Sequence, residues 1–185
     1  MFLVGGDREE IYYIPTHRTT QRRPNVELYL IRHAHALALG ERGITNDEER
    51  PLSEEGEGQA AAAAKALEKR GVVLDKLYTS PLVRARRTAE IMVDTWERPE
   101  LILENCDALT PESKMRKLSK FLLKSGGEKI GLVGHMPHLG EFAGWLLGDK
   151  KVCVDFAKAG IALIPCELPS KGMGGLHWLV SPAWY

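Results

Sequence analysis

The chain has 185 residues and a mass of 20.6 kDa, enough for one well-buried core and too little for two ordinary domains. Hydrophobic residues make up 44% and charged residues 27%, a globular balance that excludes a disordered chain. Lys plus Arg and Asp plus Glu both number 25, so no overall field draws the protein to nucleic acid or anionic lipid, and any anion site must be local.

The apolar start at residues 1–4 falls far short of an export signal or a spanning helix. Residues 7–25 are polar, basic and irregular, with Arg18, Arg22, Arg23 and Pro24. Residues 1–25 therefore read as an irregular extension in front of a single domain over 26–185. Two origins stay open for it, a segment that packs on the fold and a start codon placed too early. Cys106, Cys153 and Cys166 are odd in number and far apart, without the close pairing of a zinc or redox centre, which suits reduced thiols in the cytoplasm.

Residues 28–31 form a short apolar run that stops at Arg32 and His33, as a buried strand ends at the edge of a sheet. Pro51-Leu52-Ser53-Glu54-Glu55-Gly56 introduces a helix with Ser53 as N-cap. The alanine run at 60–64 carries it to about Arg70, and Gly71 stops it. Residues 75–79 predict a second strand, and Ser80-Pro81 a cap and first-turn proline for a helix through Trp96. A third strand is expected over 101–103 and a third helix over 113–124. Residues 129–133 form another apolar strand that runs into Gly134 and His135, followed by a helix over 137–147 that Gly148 ends. Residues 160–164 and 176–180 read as two strands that pair antiparallel. Four strand–helix alternations predict an α/β protein, a three-layer α/β/α sandwich with a mostly parallel central sheet.

In such sheets ligands sit beyond the carboxyl ends of parallel strands. Two of those ends carry histidine, His33 and His135, and Arg84 lies one turn into the helix after the second strand, where anions are already favoured. Leu30-Ile31-Arg32-His33-Ala34 resembles the Arg-His motif of the histidine phosphatase superfamily. Arg50-Pro51-Leu52-Ser53-Glu54-Glu55-Gly56 resembles its second block, Ser80-Pro81-Leu82-Val83-Arg84-Ala85 with Thr88-Ala89-Glu90 its third, and Val133-Gly134-His135 its fourth. The small size, Pro137 and the ending Trp178-Leu179-Val180-Ser181-Pro182 are similar to the SixA-like phosphohistidine phosphatases within it.

The resemblance implies a phosphoglycerate mutase-like fold and a phosphatase in which His33 takes the phosphoryl group and water then releases it. It implies Arg32, Arg84 and His135 as phosphate ligands with His33, and Arg50 as a further substrate-binding cation. Phosphoryl transfer spreads charge over three equatorial oxygens, so positioning and neutralising them is the main task. Each cation at about 4 Å contributes roughly 4 kcal/mol of gross attraction at an effective dielectric near 20. Clustered cations also keep a neighbouring imidazole unprotonated, and a backbone carbonyl is expected to hold His33 Nδ1–H so that Nε2 faces the substrate. No metal or other cofactor is expected.

One departure from the family pattern concerns the proton donor. A Glu can precede Leu-Thr-Pro in SixA-like proteins, where this chain has Ala108. Asp107 and Glu104 are the candidate donors, neither of them a match in position. The expected partner is a phosphorylated protein, such as a histidine phosphotransfer domain in signalling, or else a small phosphate ester, with neither nucleic acid nor membrane involved. A phosphate-binding module without turnover is the reading from another class.

Plainer roles are expected for other residues. His33 and His35 form an H-x-H pair that lacks a third metal ligand at suitable spacing. His138 reads as a solvent-facing helix residue, or else one that lines the pocket mouth, and Arg86 and Arg87 as surface ion-pair formers. Asp47-Glu48-Glu49 reads as a solvated face, or else as a device that repels acidic substrates or orders Arg50. The four tryptophans read as packing residues.

Overall fold

The structure is a computed structural model and describes residues 26–185; the extension expected over 1–25 lies outside the described residues. Six strands form one sheet in the order β3-β2-β4-β1-β5-β6, with β1 Val26–Arg32, β2 Lys76–Thr79, β3 Leu103–Asn105, β4 Lys129–Gly134, β5 Ile161–Cys166 and β6 Trp178–Val180. The first four in that order pair in parallel, whereas β5 runs antiparallel to β1 and β6 antiparallel to β5.

Strand β1 shows why the sheet is covered on both faces. Its residues alternate between two cores, as the period of two demands. Val26, Leu28 and Leu30 pack on one side with α3 (Met115–Ser125) and α4 (His138–Leu146). Tyr29 and Ile31 pack on the other with α1 (Glu54–Lys69) and α2 (Val83–Trp96). The expected three-layer α/β/α sandwich is therefore what the chain adopts. Among the described residues no helix is long and apolar enough to cross a membrane.

Helix α1 starts as its sequence predicts: Ser53 accepts a hydrogen bond from the Gly56 amide at 3.1 Å and caps the helix. Its buried residues are small, Gly56, Ala60, Ala63 and Ala64 before Leu67, and they meet Ala85 and Ala89 of α2. Gly56 is obligatory for close approach, because a Cβ there would lie 1.9 Å from the His35 carbonyl oxygen. Two glycines serve the same end on α4. A Cβ on Gly140 would lie 2.2 Å from the Val154 carbonyl oxygen, and one on Gly144 would lie 1.9 Å from that of Val152. The chain leaving α4 thus folds back over the helix before it enters β5.

Several boundaries differ from expectation. β3 occupies Leu103–Asn105, two residues later than 101–103, because Leu101 closes a turn onto the Arg98 carbonyl before pairing begins. α2 begins at Val83 with Leu82 at the cap position and no side-chain cap, so Ser80-Pro81 does not start the helix. β6 is confined to Trp178–Val180. Trp96 and Trp145 are buried and Trp178 packs edge-on against Tyr29, whereas Trp184, expected to pack, is 78% exposed.

Substituting Gly56→Ala is expected to lower unfolding free energy by about 1–3 kcal/mol, the usual cost of overpacking, read from the urea midpoint. An unchanged midpoint would mean that the loop after β1 yields without cost.

Candidate active site

Parallel pairing brings the carboxyl ends of β1, β2 and β4 level. Arg32 pairs with Gly134 and Thr79 with Val133. The ladder continues one residue further, with the His33 amide donating to the Gly134 carbonyl and the Ser80 amide to the Val133 carbonyl, both at 2.9 Å. His33, Ser80 and His135 therefore emerge side by side. The two imidazoles are buried, with ring centroids 5.0 Å apart and planes inclined at 54°.

Each ring is fixed by one hydrogen bond. His33 Nδ1 lies 2.7 Å from the Ala34 carbonyl oxygen, which can only accept, so Nδ1 carries the proton and Nε2 keeps its lone pair. Ala34 is itself held: its amide donates to Thr88 Oγ1 at 3.1 Å, and Thr88 donates to the Arg84 carbonyl at 2.7 Å. His135 Nε2 is 2.8 Å from Ser80 Oγ. Ser80, expected as a helix cap, is fully buried and orients the second imidazole.

Cations surround the pair. Arg84 is 5% exposed and its guanidinium donates to Asp47 through both Nη atoms, to the carbonyl at 2.6 Å and to the carboxylate at 3.0 Å. Its Nε and that of Arg32 are buried without a hydrogen-bond partner among the described residues. Arg32 donates through Nη1 to the Phe156 carbonyl. Arg50 lies at the rim, with Nε on the Leu37 carbonyl at 2.6 Å and Nη1 on Asp47 at 2.9 Å. Asp47 thus ties two guanidiniums together, as the alternative reading of the acidic loop had it. Hydrogen bonding from Arg50, with the charge and hydrogen bond of Arg84, holds its carboxyl below the usual range.

A further cation escaped the sequence reading. Lys158 lies in the segment between α4 and β5, half-buried, and faces Arg32, Arg50, Arg84 and Asp47. Attention to the carboxyl ends of parallel strands passes over it, because it precedes a strand that runs the other way. Burial and then the charge of Lys158 push the His33 pKa down to about 2. Burial and then Arg84 push that of His135 to about 3. Both rings are neutral near pH 7.

Other expectations are met or corrected. Arg86 pairs with Glu90 at 2.8 Å and Arg87 with Glu57 at 3.3 Å, at the surface. His35 turns to Ser53 Oγ at 2.8 Å. His138 is not solvent-facing but 1% exposed: with Phe142 and Trp145 it falls at i, i+4 and i+7 on the buried stripe of α4. The hydrogen bonds of the two imidazoles go to Ala34 and Ser80 rather than to Glu104 or Asp107. Glu104 lines a groove with Lys76, Phe121 and Lys124, and Asp107 opens a short turn where its charge acts on Cys106.

Two neutral imidazoles thus lie among cations at the carboxyl ends of the parallel strands. The family model of the histidine phosphatase superfamily (branch 1) matches residues 28–108. The chain is 30% identical over 172 residues to an uncharacterized protein of Picosynechococcus sp., covering 86% of this chain and 98% of that one. It is 24% identical over 160 residues to phosphohistidine phosphatase SixA of Escherichia coli, covering 85% and 94%. Among solved structures it superposes on the protein histidine phosphatase SixA complexed with tungstate, with a TM-score of 0.75, 24% identity and coverage of 85% and 98%. With a phosphoglycerate mutase from Bacillus anthracis the TM-score is 0.63 at 16% identity, covering 86% and 94%. The chain belongs to the histidine phosphatase superfamily.

The depressed pKa values fix a sign for stability. An unfolded histidine titrates near pH 6.5, so below that pH the unfolded chain binds protons that folded His33, His135 and His138 refuse. This contribution is complete above about pH 6.5 and declines as pH falls, by up to about 1.4 kcal/mol per pH unit for each ring. Urea unfolding between about pH 6.5 and about pH 4.5 is expected to show the decline, and His138→Leu to make it shallower. An identical slope in that variant would show that His138 titrates normally.

Proposed function

We propose that the protein is a phosphatase that works through a phosphohistidine at His33 and acts on phosphohistidine carried by a signalling protein. The observation that carries the reading is the pinned tautomer: Ala34 holds Nδ1–H, so the Nε2 lone pair is available in a pocket lined with positive charge. Covalent catalysis divides one displacement into two easier ones. In the first, Nε2 bonds to phosphorus as the bond to the leaving group breaks, and the leaving group departs with its electron pair. In the second, water bonds to phosphorus, the P–Nε2 bond breaks and phosphate leaves.

The protein's own side chains supply the charge this requires, so the proposed reaction needs no metal ion. Arg32, Arg84 and His135 would contact the equatorial oxygens, and preorganised donors of this kind gain strength where water is excluded. The donors of Arg50 are engaged with Leu37, Ala36 and Asp47, so it would act at the rim by its charge.

Phosphohistidine is favoured by what surrounds the pocket. Neither imidazole hydrogen-bonds to Glu104 or Asp107, and the largest charges acting on the rings come from other residues. A substrate with a weak P–N bond makes the smallest demand on a carboxylic proton donor. Similarity to a protein described as phosphohistidine phosphatase SixA points the same way. Fold similarity to a phosphoglycerate mutase favours the second reading, a small phosphate ester.

A phosphohistidine peptide and a panel of phosphomonoesters, assayed side by side, decide between the two; faster turnover of the esters would reject the first. Quenching in alkaline denaturant is expected to leave labelled phosphate on His33. His33→Ala should keep phosphate binding and lose at least about a thousandfold in kcat. Arg84→Ala should lower kcat/KM by roughly a hundredfold or more. Undiminished turnover by His33→Ala would reject the mechanism.

A further inference from the structure

The segment that carries Lys158 is fastened to the end of β1 at several points. The Arg32 amide donates to the Gly160 carbonyl at 3.0 Å, the Ala159 amide to the His33 carbonyl at 3.3 Å, and Arg32 Nη1 to the Phe156 carbonyl. Tyr185 donates its hydroxyl to the Ala159 carbonyl at 2.5 Å. Phe156 and Ala159 are fully buried, and Ala159 adopts a left-handed φ of 56°, a conformation that L residues hold only where the surroundings impose it. Lys158 sits between these anchors. Among the described residues its ammonium group has no hydrogen-bond or salt-bridge partner, although Arg32, Arg50 and Arg84 all face it.

We propose that Lys158 is a substrate-binding residue that completes the anion pocket with Arg32 and Arg84, and that it takes up a proton when the phosphoryl dianion binds. The proposal rests on the reading of this site as a phosphate pocket. Backbone anchors hold this half-buried cation among three others, where an anion could be shared by all of them. Arginine does not release its proton in a protein, and His33 and His135 stay neutral, so Lys158 is the cation of this group able to exchange one near neutral pH. Its surroundings set where that happens. Burial, then the charges of Arg32, Arg50 and Arg84, bring its pKa down to about 8, with Asp47 opposing them.

Arg32 comes from β1 and His33 from the residue after it, Asp47 and Arg50 from the loop that follows, Arg84 from α2, and His135 from the residue after β4. Asp155, on the same segment as Lys158, acts on Arg32. A bound dianion raises the pKa of Lys158, so below about pH 8 the ammonium is already present, and above it binding must draw a proton from solvent. Affinity is therefore highest on the acid side of this value and falls as pH rises through it.

Sulfate is the suitable probe, since it remains a dianion from about pH 6 to about pH 10, where the lysine titrates. Calorimetric titration of the full chain in buffers of different ionisation enthalpy reads proton uptake directly. The wild-type protein is expected to bind sulfate with uptake of a fraction of a proton near pH 8.5 and with affinity that declines above about pH 8. Lys158→Arg is expected to bind with no uptake in this range and with flat affinity, because the guanidinium keeps its charge. Lys158→Met should bind roughly tenfold more weakly or worse. Uptake that persists in Lys158→Arg, or unchanged affinity in Lys158→Met, overturns the proposal. If His33 takes no label in the quench experiment while sulfate binding depends on Lys158, the phosphatase reading fails and this one stands.

Discussion

Positive charges of Arg32, Arg50, Arg84 and Lys158 are gathered against their mutual repulsion, with the carboxylate of Asp47 as the counter-charge shared by Arg50 and Arg84. Side chains left to themselves would not assemble this way. Backbone hydrogen bonds hold them, through the β1–β4 ladder that extends past the strands to His33 and through the bonds that fasten residues 156–160 to β1. The free energy of packing two apolar cores on the sheet thus sustains an unfavourable electrostatic arrangement, the usual condition of a site prepared for a ligand of opposite sign.

That repulsion also does chemical work on the imidazoles. Burial opposes a charged ring, and neighbouring cations oppose it further. One bond from Ala34 then decides which nitrogen of His33 holds its proton. The chain Arg84 carbonyl, Thr88 hydroxyl, Ala34 amide links a guanidinium-bearing helix to the ring that it faces. Thr88 belongs to the block that resembles the family pattern, and its position explains why a threonine suits it: a hydroxyl both accepts and donates.

Much of this was legible before any coordinates. The period-two pattern of β1, the Ser53 cap and the glycines after the helices identify the α/β alternation, and the strand-end rule leads directly to His33 and His135. Three features were hidden, each for a physical reason. Ser80 has the chemistry of a helix cap and of a ring-orienting hydroxyl alike, and only tertiary contact with His135 chooses between them. His138 was misplaced because its polarity outweighed its position on the apolar stripe with Phe142 and Trp145. Lys158 carries no local signal, since its neighbours in space come from β1, α2 and the loop at Asp47, all far away along the chain.

The antiparallel entry of β5 has an architectural outcome. A strand that returns beside β1 in the opposite sense begins where β1 finishes, so the connection leading into it becomes a wall at the mouth of the cleft. Residues 147–155 of that connection lie outside every ladder. Residues 156–160 then arrive on the side of β1 away from β4, so one reversal of strand direction supplies the site with a cation that no carboxyl end of the parallel strands could carry.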